Sequence, residues 1–186
     1  MRIIKAKEGN YLVFFPSYRF MEEVLAIFEG YDLCGIEHVV QEQSMNEQKR
    51  EDFLQLFKEQ RKGSLVGFCV LGGVFSEGID LTEESLIGAI IVGTGLPQVC
   101  NEREILRQYF EKQGTDGFDY AYLYPGMNKV LQAAGRVIRT EMDRGVIALL
   151  DERFLKAQYK NTFPREWEKI VKCNLENFAD RVREIW

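Results

Sequence analysis

The chain has 186 residues, of which 46% are hydrophobic and 28% are charged, a balance typical of a folded globular protein and not of a disordered one. This length lies in the range of a single domain with one well-formed core. The 24 basic and 29 acidic residues leave a net charge of −5, which excludes an overall basic field for nucleic acid, so any contact with phosphates must be local.

The cysteines and the apolar segments exclude further classes of protein. Cys34, Cys69, Cys100 and Cys173 are far apart and form no Cys-X-X-Cys pair, so the spacing of a zinc or iron–sulfur site is missing. The start, Met1–Lys5, has too little apolar character for a signal peptide, and no stretch reaches the roughly 20 apolar residues that span a bilayer. We therefore expect a cytoplasmic chain with no metal site, no metal cluster and no membrane contact.

The first part of the chain alternates apolar runs with amphipathic segments. The run Tyr11–Phe15 is apolar throughout and ends at Pro16, as in a strand buried on both faces of a parallel sheet. Ser17 then fits a helix N-cap, and Gly30 fits the end of that helix. The next patterns predict a strand over Ile36–Val40, a helix from Asn46 to about Gln60, and a strand over Leu65–Leu71.

The second part continues the alternation and ends in a helical tail. Its patterns predict a strand over Ile87–Val92 and a helix over Asn101–Gln113. They also predict a second helix from about Met127 to Thr140 and a strand over Gly145–Leu150. Periodicity does not decide between an extended piece and a loop for Phe118–Tyr124. One or two terminal helices within Trp167–Trp186 are expected to pack on the sheet. This alternation predicts an α/β fold with a mostly parallel sheet and helices on both faces.

The predicted helix from Met127 to Thr140 has the most distinctive polar face. At about 100° per residue, Asn128, Gln132, Arg136 and Arg139 fall on one narrow arc opposite an apolar face. Two guanidiniums three residues apart repel each other mildly, and an anion such as a polyphosphate between them would remove that repulsion. The other interpretation is a solvated polar face, which is the commoner use of such a stripe.

Ligands of open α/β sheets bind beyond the carboxyl ends of the strands. This rule selects the loops Pro16–Arg19, Gly72–Asp80 and Gly93–Pro97 and the segment that leads into the two-arginine helix. The Gly72–Asp80 loop has three glycines, whose amides can approach an oxyanion, and two carboxylates, which suit a ribose hydroxyl, a water or Mg²⁺. A flexible turn with solvated charges is the competing interpretation.

Several catalytic classes lack their residues. No GxxxxGKS or GxxxxGKT sequence occurs, so the chain has no Walker A phosphate-binding loop of its own. The single histidine, His38, lies in a predicted strand where a structural role is expected, which argues against a Ser-His-Asp or Cys-His hydrolase. A hydrolase with paired carboxylates stays open, although no pair stands apart from ordinary surface charge.

Several segments, in order along the chain, resemble motifs IV, V and VI of superfamily 2 helicases. They are Phe14-Phe15-Pro16-Ser17-Tyr18, Ser76-Glu77-Gly78-Ile79-Asp80-Leu81, Gly93-Thr94-Gly95-Leu96-Pro97 and Gln132-Ala133-Ala134-Gly135-Arg136-Val137-Ile138-Arg139. The chain is most similar to the DinG/XPD (Rad3-related) group, and from Met127 to Phe154 it is particularly similar to bacterial DinG-type proteins. The resemblance extends from about Tyr11 to Phe154.

This resemblance implies the second RecA-like motor domain of an ATP-dependent DNA helicase active in DNA repair, folded as a P-loop-NTPase-type three-layer sandwich. Residues 1–186 would form this one domain, with motif IV at about 11–19, motif V at about 72–81, motif VI at about 132–139 and C-terminal helices within about 152–186. In the family, ATP and Mg²⁺ lie between two motor domains, and the first supplies the Walker A lysine and the acidic Mg²⁺-binding box. The implied partners are the first motor domain of the same polypeptide and single-stranded DNA.

The motif match also implies catalytic roles. Arg139 would be the arginine finger that reaches the γ-phosphate, Arg136 a second phosphate contact and Gln132 a polar positioner. The chain alone would not hydrolyse ATP. The alternative is a non-catalytic α/β domain that keeps the motor fold and binds nucleic acid or protein, and the intact Gln132, Arg136 and Arg139 argue against it.

Motifs IV and V would contribute binding residues. The resemblance implies that Glu77, Gly78 and Asp80 lie near the ATP and couple it to DNA. Ser17 and Tyr18 would contact the sugar–phosphate backbone of a single DNA strand through a hydroxyl, a backbone amide and an aromatic ring.

Overall fold

The computed structural model describes residues 1–76, 86–138, 144–167 and 170–186. The strands in these ranges are β1 (Asn10–Phe15), β2 (Ile36–Val40), β3 (Ser64–Val70), β4 (Gly88–Val92) and β5 (Val146–Leu150). The α-helices are α1 (Arg2–Ala6), α2 (Tyr18–Glu29), α3 (Glu47–Lys58), α4 (Asn101–Lys112), α5 (Tyr124–Ala134), α6 (Ala157–Lys160) and α7 (Phe178–Arg183). A π-helical turn (Asp119–Leu123) runs directly into α5, and a 3-10 turn (Glu152–Leu155) follows β5.

The described strands form one sheet in the order β2-β3-β1-β4-β5, and every pair in it is parallel. The predicted α/β class is therefore confirmed, and the predicted strands agree with the observed ones to within one residue at each end. All six residues of β1 are buried, and β1 pairs with β3 on one side and β4 on the other. The uninterrupted apolar run Tyr11–Phe15 predicted this central position.

Successive side chains of each strand point to opposite faces of the sheet, and each face has its own hydrophobic core. In β1, Leu12 and Phe14 join the core under α3 and α5. Tyr11, Val13 and Phe15 join the core on the other face, under α1, α2 and α7. The helices cover both faces, so the predicted three-layer sandwich is confirmed.

Gly67 in β3 packs closely against the core under α3 and α5. A Cβ atom on Gly67 would come within 2.7 Å of Leu12 Cδ2 and 2.8 Å of Phe57 Cζ. We expect Gly67→Ala to lower the free energy of unfolding by about 1–3 kcal/mol, because overpacking forces side chains from their preferred rotamers. Denaturant titration measures the loss. Gly30→Ala is the control, since Gly30 has an ordinary helical φ of −75°; an equal loss in both variants would contradict the packing account.

The segment Phe118–Tyr124, left undecided by periodicity, is helical. Its backbone forms the π-helical turn and continues into α5 without a break. Asp116 begins this helix, because its Oδ1 accepts hydrogen bonds from the backbone N–H groups of Phe118 and Asp119 at 2.9 and 3.2 Å. The capping aspartate was the sequence signal for this helix.

The C-terminal tail contains one of the one or two helices that were predicted. Within the described part of Trp167–Trp186, only α7 is helical. Its Val182 is buried in the same core as Ile3 and Ile4 of α1, a helix that the sequence pattern did not predict. Across residues 1–76, 86–138, 144–167 and 170–186, no helix has the length and apolar character needed to cross a bilayer.

Candidate functional site

The carboxyl ends of the strands lie along one edge of the sheet, and the described parts of the loops selected from the sequence lie at this edge. The chain leaves β1 through α2 on one face, whereas it returns to β5 through α5 on the other face. Neighbouring strands with connections on opposite faces open a crevice that binds ligands in α/β sheets. The crevice between β1 and β4 is bordered by Pro16 and Gly93, where a Cβ on Gly93 would be 3.9 Å from Pro16 Cγ.

The two predicted DNA-binding residues lie at the start of α2, directly after β1. Ser17 is the N-cap, as predicted, and its Oγ accepts a hydrogen bond from the Phe20 backbone N–H at 3.2 Å. The half-buried Tyr18 accepts a hydrogen bond from Gln41 Nε2 at 2.8 Å. Backbone N–H groups at a helix N-terminus and the helix dipole both favour an anion such as a phosphate.

The loop after β3 turns sharply and is held by its own backbone. Gly72 has a φ of +75°, a conformation that favours glycine. The fully buried Ser76 donates two hydrogen bonds to the Gly73 carbonyl, from its backbone N–H at 2.9 Å and from its hydroxyl at 2.8 Å. The predicted nucleotide contacts Glu77, Gly78 and Asp80, which follow, lie outside the described residues.

The predicted helix of motif VI is wrong in its bounds, because α5 runs over Tyr124–Ala134 and not over Met127–Thr140. After Ala134 the backbone tightens, and the N–H groups of Arg136 and Val137 bond three residues back at 3.3 and 3.1 Å. Such turns have about three residues per turn, and glycine at position 135 disfavours a longer α-helix. The exposed Gln132 is therefore on the helix, while the half-buried Arg136 lies in the turn beyond it.

Arg136 joins motif VI to the loop of motif V. Its Nε donates a hydrogen bond to the Ser76 carbonyl oxygen at 3.2 Å. A guanidinium has five N–H donors in a fixed plane, and this bond uses the Nε donor. The shared helical face that the sequence predicted for Gln132, Arg136 and Arg139 does not extend to Arg136, and Arg139 lies outside the described residues.

Lys129 is a cation at this edge that the sequence patterns did not single out. Its methylene chain covers Gly72, where an added Cβ would lie 2.9 Å from Lys129 Cδ. Lys129 precedes Gln132 by three residues on α5, so the two residues lie on neighbouring turns. The sequence signal for Lys129 is its position three residues before Gln132, which places the two side chains side by side on a helix.

The loop after β4 holds α5 against the edge of the sheet. Gly95 has a φ of +65°, and an added Cβ would lie 2.8 Å from the carbonyl oxygen of Gly126 in α5. Thr94, which is 1% exposed, has a hydroxyl with no hydrogen-bond partner in the part of the chain that the structure describes. This close approach of two backbones determines where α5, and with it Lys129 and Gln132, lies relative to β4.

A carboxylate closes the same edge after β5. Asp151 accepts hydrogen bonds from Arg153 Nε at 2.9 Å and Arg153 Nη2 at 2.6 Å, and it caps the 3-10 turn through the Arg153 backbone N–H. The hydrogen bond from the Arg153 side chain, and then the one from its backbone, lower the pKa of Asp151 below its ordinary value despite partial burial. Asp151 is therefore ionised and paired at neutral pH.

This pairing predicts a pH-dependent contribution to stability. We expect Asp151→Ala to lower the free energy of unfolding by about 1–2 kcal/mol at neutral pH, mainly through loss of the cap. Because the folded pKa is lowered, the contribution is complete above the unfolded pKa of about 3.9 and is lost as the pH falls through the folded value. Denaturant titration at neutral pH and at about pH 3 measures the change. Asp151→Asn keeps the capping oxygen and is the control; an Asp151→Ala loss of equal size at both pH values would contradict this account.

Comparison with known proteins identifies the family. The family described as the helicase C-terminal domain matches residues 1–170 of the chain. The chain belongs to this family. As a helicase C-terminal domain it is 27% identical, over 100% of its length, to the ATP-dependent DNA helicase CHL1 of Scheffersomyces stipitis, of which it covers 25%.

Comparison with one further relative and one solved structure indicates which type of helicase the domain comes from. The domain is 28% identical to human regulator of telomere elongation helicase 1, over 94% of the chain and 16% of that protein. It shares its fold with a solved XPD helicase, at a TM-score of 0.67 and 24% identity over 86% of the chain and 28% of that protein. These similarities confirm the predicted DinG/XPD (Rad3-related) group: the chain is the C-terminal domain of an XPD/Rad3-type superfamily 2 helicase. The particular likeness to bacterial DinG-type proteins stays a prediction. The chain spans about a quarter or less of the length of these curated relatives.

Proposed function

We propose that this domain is the second motor domain of an ATP-dependent DNA helicase and completes an ATP site whose other half belongs to the first motor domain. The observation that carries the proposal is the hydrogen bond from Arg136 to the Ser76 carbonyl. It joins the motif V loop to the motif VI turn at the carboxyl edge of the sheet, where ligands of α/β folds bind. The relatives' names as ATP-dependent helicases support the same activity.

The residues present fit the phosphates of ATP better than they fit its metal. Lys129 and Arg136 supply positive charge beside the loop after β3, and Arg139 would add a third cation. No group of three or more potential metal ligands occurs among the residues that the structure describes. From the resemblance, in which the first motor domain supplies the acidic Mg²⁺-binding box, we propose that Mg²⁺ is held by that domain and by the nucleotide.

ATP, when bound, supplies the free energy of phosphoryl transfer for unwinding. This domain would contribute charge and orientation: Arg139 would stabilise the negative charge that develops on the transferred phosphoryl group, Arg136 would hold a phosphate, and Gln132 would position the reacting groups. Glu77, Gly78 and Asp80 would lie beside the nucleotide and transmit its state to the DNA-binding edge.

The proposed contact with single-stranded DNA is local. The backbone N–H groups at the start of α2 would bind a phosphate, with Ser17 holding the helix end through its cap. The Tyr18 ring, half-buried at the same point, offers an apolar surface to the sugar or a base. A net charge of −5 for the chain fits a few directed contacts and argues against a broad electrostatic surface.

The proposal is tested by comparing the isolated chain with the polypeptide that contains both motor domains. We expect no ATP hydrolysis above background from the 186-residue chain, and single-stranded-DNA-dependent hydrolysis from the two-domain protein, because the Walker A loop is supplied by the first domain. Hydrolysis by the isolated chain at a rate typical of intact helicases would overturn the proposal. DNA binding by a two-domain protein that never hydrolyses ATP would instead favour a non-catalytic binding domain.

A further inference from the structure

We infer that Gln41 is a positioning residue that connects the DNA-binding edge to the ATP-binding turn through one chain of hydrogen bonds, so that it transmits DNA binding to ATP hydrolysis. The inference rests on the proposed function and adds a coupling residue to it. Gln41 follows β2 directly and is 3% exposed, so neither DNA nor nucleotide can reach its side chain. Any effect of Gln41 on catalysis must therefore pass through its neighbours.

Gln41 connects the ends of β2 and β3 with the start of α2. Its backbone N–H donates to the Phe68 carbonyl at 2.8 Å and extends the pairing of β2 with β3. Its side-chain Oε1 accepts from the Val70 backbone N–H at 2.9 Å, while Nε2 donates to the Tyr18 hydroxyl at 2.8 Å. The orientation of the amide is determined chemically, because the Val70 N–H is a donor and must face the oxygen.

From Val70 the chain of bonds continues to Arg136. The Val70 carbonyl accepts from the Gly73 N–H at 3.0 Å, and the Gly73 carbonyl accepts from the backbone and hydroxyl of Ser76. The Ser76 carbonyl then accepts from Arg136 Nε at 3.2 Å. Each step from Tyr18 to Arg136 is therefore a hydrogen bond or a short stretch of backbone, with no solvent-filled gap.

The packing around Gln41 makes this connection stiff. An added Cβ on Gly73 would lie 2.8 Å from Gln41 Nε2 and 2.9 Å from the Val70 carbonyl oxygen. Glycine at position 73 therefore lets the β3 loop close directly onto the Gln41 amide. A movement of Tyr18 on DNA binding would displace that amide, and the displacement would reach Ser76 and the guanidinium of Arg136 because buried hydrogen-bonded groups cannot be left without partners at low cost.

The test uses the two-domain protein and measures the ratio of kcat with saturating oligodeoxythymidylate to kcat without DNA. Gln41→Met keeps the length of the side chain and removes both hydrogen-bonding atoms, whereas Tyr18→Phe removes only the hydroxyl. We expect each variant to lower the ratio about five- to tenfold or more, in the range of typical coupling between sites. For Gln41→Met, hydrolysis without DNA is expected to stay within about threefold of wild type. Tyr18→Phe is compared with it only at saturating DNA, which removes any effect of Tyr18 on DNA affinity.

A double-mutant cycle distinguishes coupling from independent damage. The Gln41→Met, Tyr18→Phe double variant is expected to match the Gln41→Met variant, since Gln41→Met already breaks the bond between the two side chains. The Tyr18 hydroxyl also donates to the exposed Glu42 carbonyl at 3.4 Å, and loss of that bond alone is not expected to change the ratio. Ser64→Ala is the matched control: Ser64 lies at the opposite end of β3, is 2% exposed, and accepts a partly buried hydrogen bond from the Gly9 N–H at 3.2 Å. It should lower the melting temperature as Gln41→Met does and leave the ratio unchanged.

The outcomes separate this inference from the proposed function. DNA-stimulated hydrolysis in the wild type together with unchanged ratios in Gln41→Met and Tyr18→Phe overturns the inference alone. Ratios that fall equally in Ser64→Ala also overturn it, because loss of stability would then be the cause. A wild-type protein that DNA does not stimulate overturns the proposed function and the inference with it. If Gln41→Met fails to fold, Gln41→Asn decides the question, because it keeps a polar amide but is one methylene too short to reach both the Tyr18 hydroxyl and the Val70 N–H.

Discussion

Replacing Arg139 by alanine in the two-domain protein is expected to lower DNA-stimulated ATP hydrolysis by about 10³-fold or more. The expected size follows from the role proposed for Arg139, since arginine fingers that stabilise phosphoryl-transfer transition states are worth about 10³–10⁵ in rate. The loss should appear in kcat more than in KM for ATP, because the interaction is made mainly in the transition state. Steady-state kinetics with saturating single-stranded DNA measures both constants.

Two controls make the Arg139 result specific. Arg50→Ala removes an exposed arginine of α3 and should leave kcat and KM unchanged, which excludes a general effect of net charge. The melting temperature of Arg139→Ala should equal that of the wild type, which excludes loss of fold. Retained turnover in a folded Arg139→Ala protein would remove Arg139 from the finger role.

Replacing Arg136 by alanine is expected to lower kcat by about 10²–10³-fold, the usual cost of removing one preorganised donor to developing charge. The variant also deletes the hydrogen bond to the Ser76 carbonyl. We therefore expect the free energy of unfolding to fall as well, by at most about 3 kcal/mol, the upper value for a hydrogen bond from a charged donor. Kinetics and denaturant titration on the same preparation separate the two effects.

Arg136→Lys tests the geometry of that side chain. Lysine keeps the charge and loses the planar fork, and its single ammonium cannot hold the Ser76 carbonyl and a phosphate in the same fixed arrangement. We therefore expect Arg136→Lys to recover less than about a tenth of wild-type kcat. Full activity of Arg136→Lys would mean that charge alone matters and would contradict the role given to the guanidinium plane.

The sheet could be predicted from the sequence, because parallel strands buried on both faces have a simple pattern. The apolar run of β1 and the apolar β3 and β4 stand between polar or glycine-rich turns, and burial alone determines where they lie. The ends of the helices were harder to predict from the sequence. The end of α5 depends on Gly135 and on a switch to three-residue bonding that an apolar stripe running through Val137 does not reveal.

The site could be predicted only in part. Ser17 was expected at the start of α2 and lies there. The hydrogen bond from Arg136 to the Ser76 carbonyl was not predicted, and the phosphate contact expected of Arg136 stays a prediction. Gln41 was not predicted, since it belongs to no run, repeat or charge pattern, whereas Lys129 had a signal in its position three residues before Gln132. Gln41 acts through atoms of Tyr18 and Val70, which are 23 and 29 residues away in the chain, and such contacts between distant segments leave no local signature.

The central claim is that this domain completes an ATP-driven DNA motor. The most direct measurement is the steady-state rate of ATP hydrolysis by the two-domain protein, with and without single-stranded DNA at constant salt. We predict slow hydrolysis without DNA and a rate at least about tenfold higher at saturating DNA, since the coupling between two ligand sites is typically about 1–3 kcal/mol. A folded protein that binds ATP and single-stranded DNA but hydrolyses ATP at the same rate in both conditions would contradict the claim.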